Sequence, residues 1–292
     1  MTAEKYRGRI APSPTGYLHI GHTLTFWRAQ ARGHAAGGKL ILRIEDLDVA
    51  RCCPEFYNAL VEDLNWFGFK WDEGPDVDGP FAPYVQNERR AFYLDSWEKL
   101  RSGGFVYPCR CSRKDVLAAG LAPHEENEEP IYPGTCRPDV EAAVPAANSG
   151  PPLGQRPVQP AGINWRFRVP DGEEMEFVDA RLGRQAAIAG REFGDFIVWR
   201  RDDVPAYQLA VVVDDAAMQI TEVVRGEDLL LSTFRQLLIY RVLNLPPPTF
   251  YHAPLIVDES GKRLAKRHAA LSLRELRASG ARPEEIRAKY FR

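Results

Sequence analysis

Residues 9–22 read Arg9-Ile-Ala-Pro-Ser-Pro-Thr-Gly-Tyr-Leu-His-Ile-Gly-His22, and the backbone must change character twice along that run. Residues 7–11 suit a short strand. Pro12 and Pro14 lack the donor that a ladder needs and Gly16 frees the turn, so the strand stops there. From Ile20 the apolar spacing becomes helical, with Ile20, Leu24, Trp27 and Ala31 on one face and Gly37-Gly38 as the stop. His19 and His22 then stand three apart at a helix start, on one face. Two imidazoles beside a positive helix end can donate hydrogen bonds to phosphate oxygens, with the free N–H groups of the first turn adding to the attraction. Gly21 between them lets a flat ring such as adenine approach the backbone.

Working outward, residues 39–45 (KLILRIE) form an apolar, β-prone run of the kind that suits a parallel strand covered on both faces. Strand, helix and strand make a right-handed βαβ unit, the opening of a Rossmann-type, doubly wound α/β sheet. Residues 33–39 fit the phosphate-loop spacing G-x-x-x-x-G-K, but Leu40 follows where Ser or Thr is required. The order of elements is also wrong, because these glycines end a helix. Residues 144–163 hold five prolines and three glycines, a density suited to a loop or insertion. Regular patterning resumes with WRFRV from Trp165, FIVWR from Phe196 and QITEVVRGEDLL from Gln219, as if a β-rich insertion ends and the parallel sheet returns.

The 292 residues carry 38 Lys plus Arg against 40 Asp plus Glu, a net charge of -2, so no global positive field recruits a polyanion. A local patch must do so. Residues 259–292 hold ten Lys or Arg against four Glu, which is either that patch or a solvated helical face. No run reaches the roughly 18 apolar residues of a membrane helix and the start has no signal-peptide core, so the expectation is a cytoplasmic protein with no membrane partner. Five cysteines without a signal peptide favour metal ligation over disulfides. Cys109 and Cys111 on a turn, with Cys136 returning after a loop, supply three thiolates for a tetrahedral zinc, and Tyr132 or His124 stands as the fourth donor. Cys52 and Cys53 read as structural or exposed. Gly261 to Arg267 (GKRLAKR) is a basic loop whose Lys262 and Lys266 could reach a triphosphate.

Taken together, His19-Ile20-Gly21-His22 and Arg263-Leu264-Ala265-Lys266-Arg267 resemble the paired ATP-binding signatures of class I aminoacyl-tRNA synthetases. The first matches throughout. In the second, Ala265 stands at the serine position and Arg267 at the last, so Lys266 is the lysine carried over. RIAPSPTGYLHIGH, LRIEDLD and KWDEGPDVDGPFAPYVQNER look like the glutamyl-tRNA synthetase branch, with the shortened glutamyl-Q tRNA(Asp) group the nearest in form. The resemblance implies ATP with Mg²⁺ at His19, Gly21, His22 and Lys266, of which His19, His22 and Lys266 are catalytic. It puts Arg9, Ala11, Ser13, Glu45, Tyr207 and Arg225 around L-glutamate. Glu45, at the C-terminal end of its strand, would meet the amine, and Arg9 and Arg225 the side-chain carboxylate. An arginine at 225, which glutamine-specific relatives lack, favours glutamate. For zinc it favours Tyr132 beside Cys109, Cys111 and Cys136.

The implied layout is a catalytic domain in two halves, 1–105 and 180–255, with an inserted zinc-binding α+β subdomain over 106–179. The lysine loop and basic helical tail occupy 256–292. Only 25 residues follow Arg267, too few for an anticodon-binding domain, and the resemblance to the shortened group then implies a monomer that activates glutamate without tRNA and attaches it to queuosine in tRNA(Asp). The rivals are a truncated enzyme charging the acceptor end of tRNA(Glu) and a non-catalytic zinc protein that binds RNA.

Overall fold

The computed structural model describes residues 5–119, 131–139, 162–256 and 272–291. In chain order the first half runs β1 (Arg7–Ile10), α1 (Ile20–Ala35), β2 (Lys39–Leu42), α2 (Pro54–Phe67), α3 (Arg90–Ser102), β3 (Val106–Cys109) and α4 (Arg113–Ala119). The second runs β4 (Asn164–Phe167), β5 (Glu174–Asp179), β6 (Gly183–Ile188), β7 (Phe196–Trp199), α5 (Tyr207–Ala217), β8 (Glu222–Gly226), α6 (Leu230–Val242), β9 (Thr249–Ala253), α7 (Leu273–Ala278) and α8 (Pro283–Tyr290). Local chemistry explains several bounds. Pro54 opens α2, where its missing N–H costs nothing, and Gly68 closes it at a φ of 94° that a side chain would resist.

β1 and β2 pair in parallel, Arg7 opposite Lys39 and Ile10 opposite Leu42. On the other flank of β1, the Thr221 N–H donates to the Arg7 carbonyl at 2.9 Å, bringing in β8, which pairs in parallel with β9. Alternate residues of this layer enter different cores. Leu40 and Leu42 of β2 and Val224 of β8 pack with Ile20 of α1 and with Leu60, Leu64 and Phe67 of α2. Ile41 and Val223 turn the other way, toward Met218, Ile220, Phe250 and Tyr84. Both faces are therefore covered, as the apolar run 39–45 required, and the class is α/β with a parallel sheet.

The antiparallel part comprises β3-β4-β7 and the β5–β6 hairpin, whose β5 touches β9 through Asp179 and Phe250. The expected boundary between residues 179 and 180 falls at the turn of that hairpin, and β7 joins the β3-β4 sheet by pairing with β4. These antiparallel strands share one core with α3, α5 and α6, including Trp97, Phe167, Trp199, Leu209 and Leu238.

Two details depart from expectation. Ala31 is exposed, whereas Gln30 and Gly33 are buried. Gln30 goes inward because its amide closes the turn after α2, donating to the Gly68 carbonyl at 3.3 Å and accepting from the Lys70 N–H at 2.6 Å. The basic tail also does structural work: Arg287 of α8 donates to the Phe67 carbonyl at 3.0 Å and lies over the Trp27 ring. Residues 144–161 and residues 257–271, among them Lys262 and Lys266, lie outside the described residues. Among the described residues no helix is long and apolar enough to cross a membrane.

Candidate active site and metal cluster

A cavity of about 510 Å³ opens at the C-terminal ends of β1, β2 and β8, where open α/β sheets bind ligands. Arg9, Ala11, Ser13, His19, Gly21, His22, Glu45, Tyr207 and Arg225 all line it. Nine sequence-predicted positions, spread from residue 9 to residue 225, thus converge on one space.

At one end His19 is the N-cap of α1. Its Nδ1 accepts the Gly21 N–H at 3.2 Å, so in the neutral ring Nε2 carries the proton and serves as a donor. The two imidazoles stack with centroids 3.8 Å apart. Burial lowers the pKa of His19. Enclosing protein, and then the neighbouring His19, lower His22 to about 4, although its ring is open to the cavity. Both rings are therefore neutral at pH 7 and act as hydrogen-bond donors rather than as standing positive charges. One expected donor changes role, since the Gly21 N–H is already engaged by His19. Gly21 also has a steric duty, because an added Cβ would lie 3.1 Å from the His19 ring.

The arginines line the same cavity. Arg9 donates to the Val224 carbonyl at 2.9 Å and its Nε lies 3.5 Å from Asp215. Arg225, 3% exposed, donates through Nη1 to Gln236 at 2.7 Å and through Nη2 to Thr233 at 2.6 Å. Glu45 accepts from Arg43 at 2.8 Å, and burial raises its carboxyl somewhat against that pull. Arg43, fully buried, also donates to Asp215 at 2.6 Å, so one internal cation aligns two carboxylates near the cavity. The reading of the sequence missed Arg43, although a lone arginine inside KLILRIE was the signal for it. It also missed Thr15, Thr25, Phe26, Asp228, Leu229, Leu255 and Ile256 in the lining. Lys266 lies outside the described residues.

A second cluster sits where β3 leads into the turn after it. Cys109, Cys111 and Cys136 bring their sulfurs within 4.8 Å of one another. Tyr132 Oη is 3.4 Å from Cys109 Sγ and 3.5 Å from Cys111 Sγ, and Cys111 and Cys136 sulfurs are 3.5 Å apart. A tetrahedral zinc with standard bond lengths needs neighbouring sulfurs about 3.8 Å apart and sulfur to oxygen about 3.5 Å. The donor set fits. Hydrogen bonding from the Tyr132 hydroxyl is the chief cause that lowers the Cys136 thiol to about 7. Arg166 supplies positive charge beside it, with Nε 3.2 Å from Cys109 Sγ and its guanidinium 3.8 Å over the Tyr132 ring. His124 lies outside the described residues.

Residues 5–292 match the family described as tRNA synthetases class I (E and Q), catalytic domain. The chain is 47% identical over 283 residues to the glutamyl-Q tRNA(Asp) synthetase of Symbiobacterium thermophilum, covering 96% of this chain and 83% of that protein. It is 43% identical to glutamate–tRNA ligase 2 of Acidithiobacillus ferrooxidans, over 96% of this chain and 56% of that protein. Among solved structures, the glutamate-tRNA synthetase of Elizabethkingia anophelis is similar at a TM-score of 0.74 and 30% identity, over 95% of this chain and 54% of that one. With a βαβ opening, paired histidines at a helix start and a ligand cavity at the strand ends, the chain belongs to the class I tRNA synthetases of the glutamate and glutamine type, which are ligases.

Proposed function

We propose that the protein activates L-glutamate with ATP to glutamyl-adenylate, without needing tRNA, and passes the glutamate to the queuosine base in the anticodon of tRNA(Asp). The observation that carries this reading is the convergence of Arg9, Glu45, Tyr207 and Arg225 with His19 and His22 on one cavity. Likeness to relatives named for the queuosine reaction, 83% of whose length this chain spans in one case, supports the acceptor.

In this reading Arg225 and Arg9 pair with the side-chain carboxylate and Glu45 with the amine. The α-carboxylate is then left facing the histidine end. Its oxygen attacks the α-phosphorus of ATP·Mg²⁺, a new P–O bond forms, and the bond to pyrophosphate breaks. The His19 Nε2–H, His22 and Lys266 donate to oxygens whose charge rises in that transfer, which is where preorganised donors lower a barrier. Cys109, Cys111, Cys136 and Tyr132 would hold one zinc, which supplies a cross-link between β3 and the segment around residue 136 rather than chemistry. The catalytic unit is one chain, working in the cytoplasm.

Pyrophosphate exchange tests the first half. Without tRNA, the exchange with glutamate should exceed that with glutamine by about 10²-fold or more, because glutamine leaves buried guanidinium charge unpaired. Arg225→Ala should erode the difference. Equal exchange with both amino acids refutes the assignment of Arg9 and Arg225.

The second reading, a glutamate–tRNA ligase acting on the acceptor end, is favoured by the 43% identity to a protein of that name. It differs only in the acceptor.

A further inference from the structure

Behind Arg225 lies a buried relay, His252 and Asp179, that is not itself part of the cavity lining. His252 of β9 is fully buried, and Asp179, the last residue of β5, is 2% exposed. Asp179 Oδ2 accepts from the His252 backbone N–H at 3.0 Å and is 2.7 Å from His252 Nδ1. Its Oδ1 accepts the N–H groups of Arg181 and Leu182, both at 2.9 Å, so the carboxylate is held by the hairpin turn. The other ring nitrogen, His252 Nε2, lies 3.3 Å from Arg225 Nε and 3.0 Å from the Thr233 hydroxyl.

These contacts allow one protonation pattern. Arg225 Nε–H can only donate, so His252 Nε2 must accept, and Nδ1 must carry the proton and give it to Asp179. Thr233 accepts from Arg225 Nη2, and its own proton can go to the Leu229 carbonyl at 3.5 Å or share the Nε2 lone pair with Arg225. A protonated Nε2 would aim N–H at N–H and push the guanidinium aside. Burial and the positive Arg225 both lower the His252 pKa, in keeping with a neutral ring. With the bond to Gln236, three of the five guanidinium N–H groups are anchored behind the cavity.

We propose that Asp179 and His252 are positioning residues that set the choice between glutamate and glutamine, by fixing the orientation in which Arg225 meets the substrate side chain. This rests on the glutamate reading above. A carboxylate paired with a fork-shaped cation gains from alignment, whereas a neutral amide gains little, so loosening Arg225 penalises glutamate selectively.

The test is pyrophosphate exchange, varying glutamate, glutamine and ATP separately, in the full chain and in His252→Ala, His252→Gln and Asp179→Asn. His252→Ala should raise KM for glutamate and lower the glutamate-to-glutamine ratio of kcat/KM by about tenfold or more, with KM for ATP unchanged. His252→Gln, whose side-chain oxygen can accept where Nε2 does, should recover most of that ratio. Asp179→Asn removes the charge that selects the tautomer while keeping the shape, and should lower the ratio in the same direction. This variant carries the test should His252→Ala lose its fold. An unchanged ratio in either His252→Ala or Asp179→Asn overturns the proposal, as does a His252→Gln protein no better than His252→Ala. A parent protein with no glutamate-dependent exchange overturns the glutamate reading itself, which separates the two failures.

Discussion

His19 illustrates how one side chain serves fold and chemistry together. The sequence offered it as a phosphate donor at a helix start, and the structure also makes it the cap, through Nδ1, while leaving Nε2 to donate. Gly21 leaves room for this arrangement, because an added Cβ would lie 3.1 Å from the imidazole and the ring would have to shift by a few tenths of an ångström. Gly21→Ala should therefore leave the fold intact by circular dichroism and lower glutamate-dependent exchange about tenfold or more, the cost of misplacing one preorganised donor. Exchange at the parent rate would show that His19 is not needed where it stands. Lys266→Ala should lower exchange by about 10²-fold or more, as expected for a group acting mainly on charge that develops in the transfer. Most of the lining residues were legible through the family resemblance, and only for Arg9, Glu45 and Arg225 does the charge of glutamate itself ask for the side chain. Arg43 was only half legible: an arginine inside an apolar run signals a buried partner, and Glu45 is two residues away, but Asp215 is brought to it by the fold from 172 residues along the chain.

Among the elements, those defined by local pattern were the easiest to read. α1 starts at Ile20, as the change from proline-rich turn to helical spacing required, and residues 39–42 form the second strand. The misjudged position is Ala31, because spacing gives the width of an apolar stripe and cannot show that the Gln30 amide has a backbone turn to satisfy. Sheet partners were harder still. β7 joins β3 and β4 through contacts between residues 165–167 and 196–199, a pairing that no local pattern encodes. The metal cluster depends on such joining as well, with β3 bringing Cys109 to Tyr132 and Cys136 from a separate segment. Protein purified without added metal should carry about one zinc per chain, and Cys136→Ser should lose it, as closed structural sites need all four donors. Full occupancy in that variant, or in Tyr132→Phe, would require another ligand set, with His124 the first alternative.

Over the whole molecule, charge is nearly balanced at -2 while basic residues concentrate near the end of the sequence. Part of that basic excess is structural, as Arg287 packs on Trp27 and Phe67. Arg277 faces Glu62 and Arg282 pairs with Glu285, and in the proposed transfer basic residues of this region would contact phosphates, which position a nucleic acid without reading its sequence. Raising salt should accordingly weaken transfer to tRNA steeply while leaving glutamyl-adenylate formation almost unchanged, because only transfer replaces counterions on a polyanion. In the proposed transfer selectivity comes from the cavity, and because an anticodon base is already unpaired, presenting it there would cost little. The decisive measurement is attachment of radiolabelled glutamate to tRNA(Asp) with and without queuosine, alongside tRNA(Glu). Labelling of only the queuosine-containing tRNA(Asp), persisting when its 3′-terminal adenosine has been removed, is the predicted result. Equal labelling of queuosine-free tRNA(Asp) or of tRNA(Glu), lost on removal of that adenosine, would contradict it.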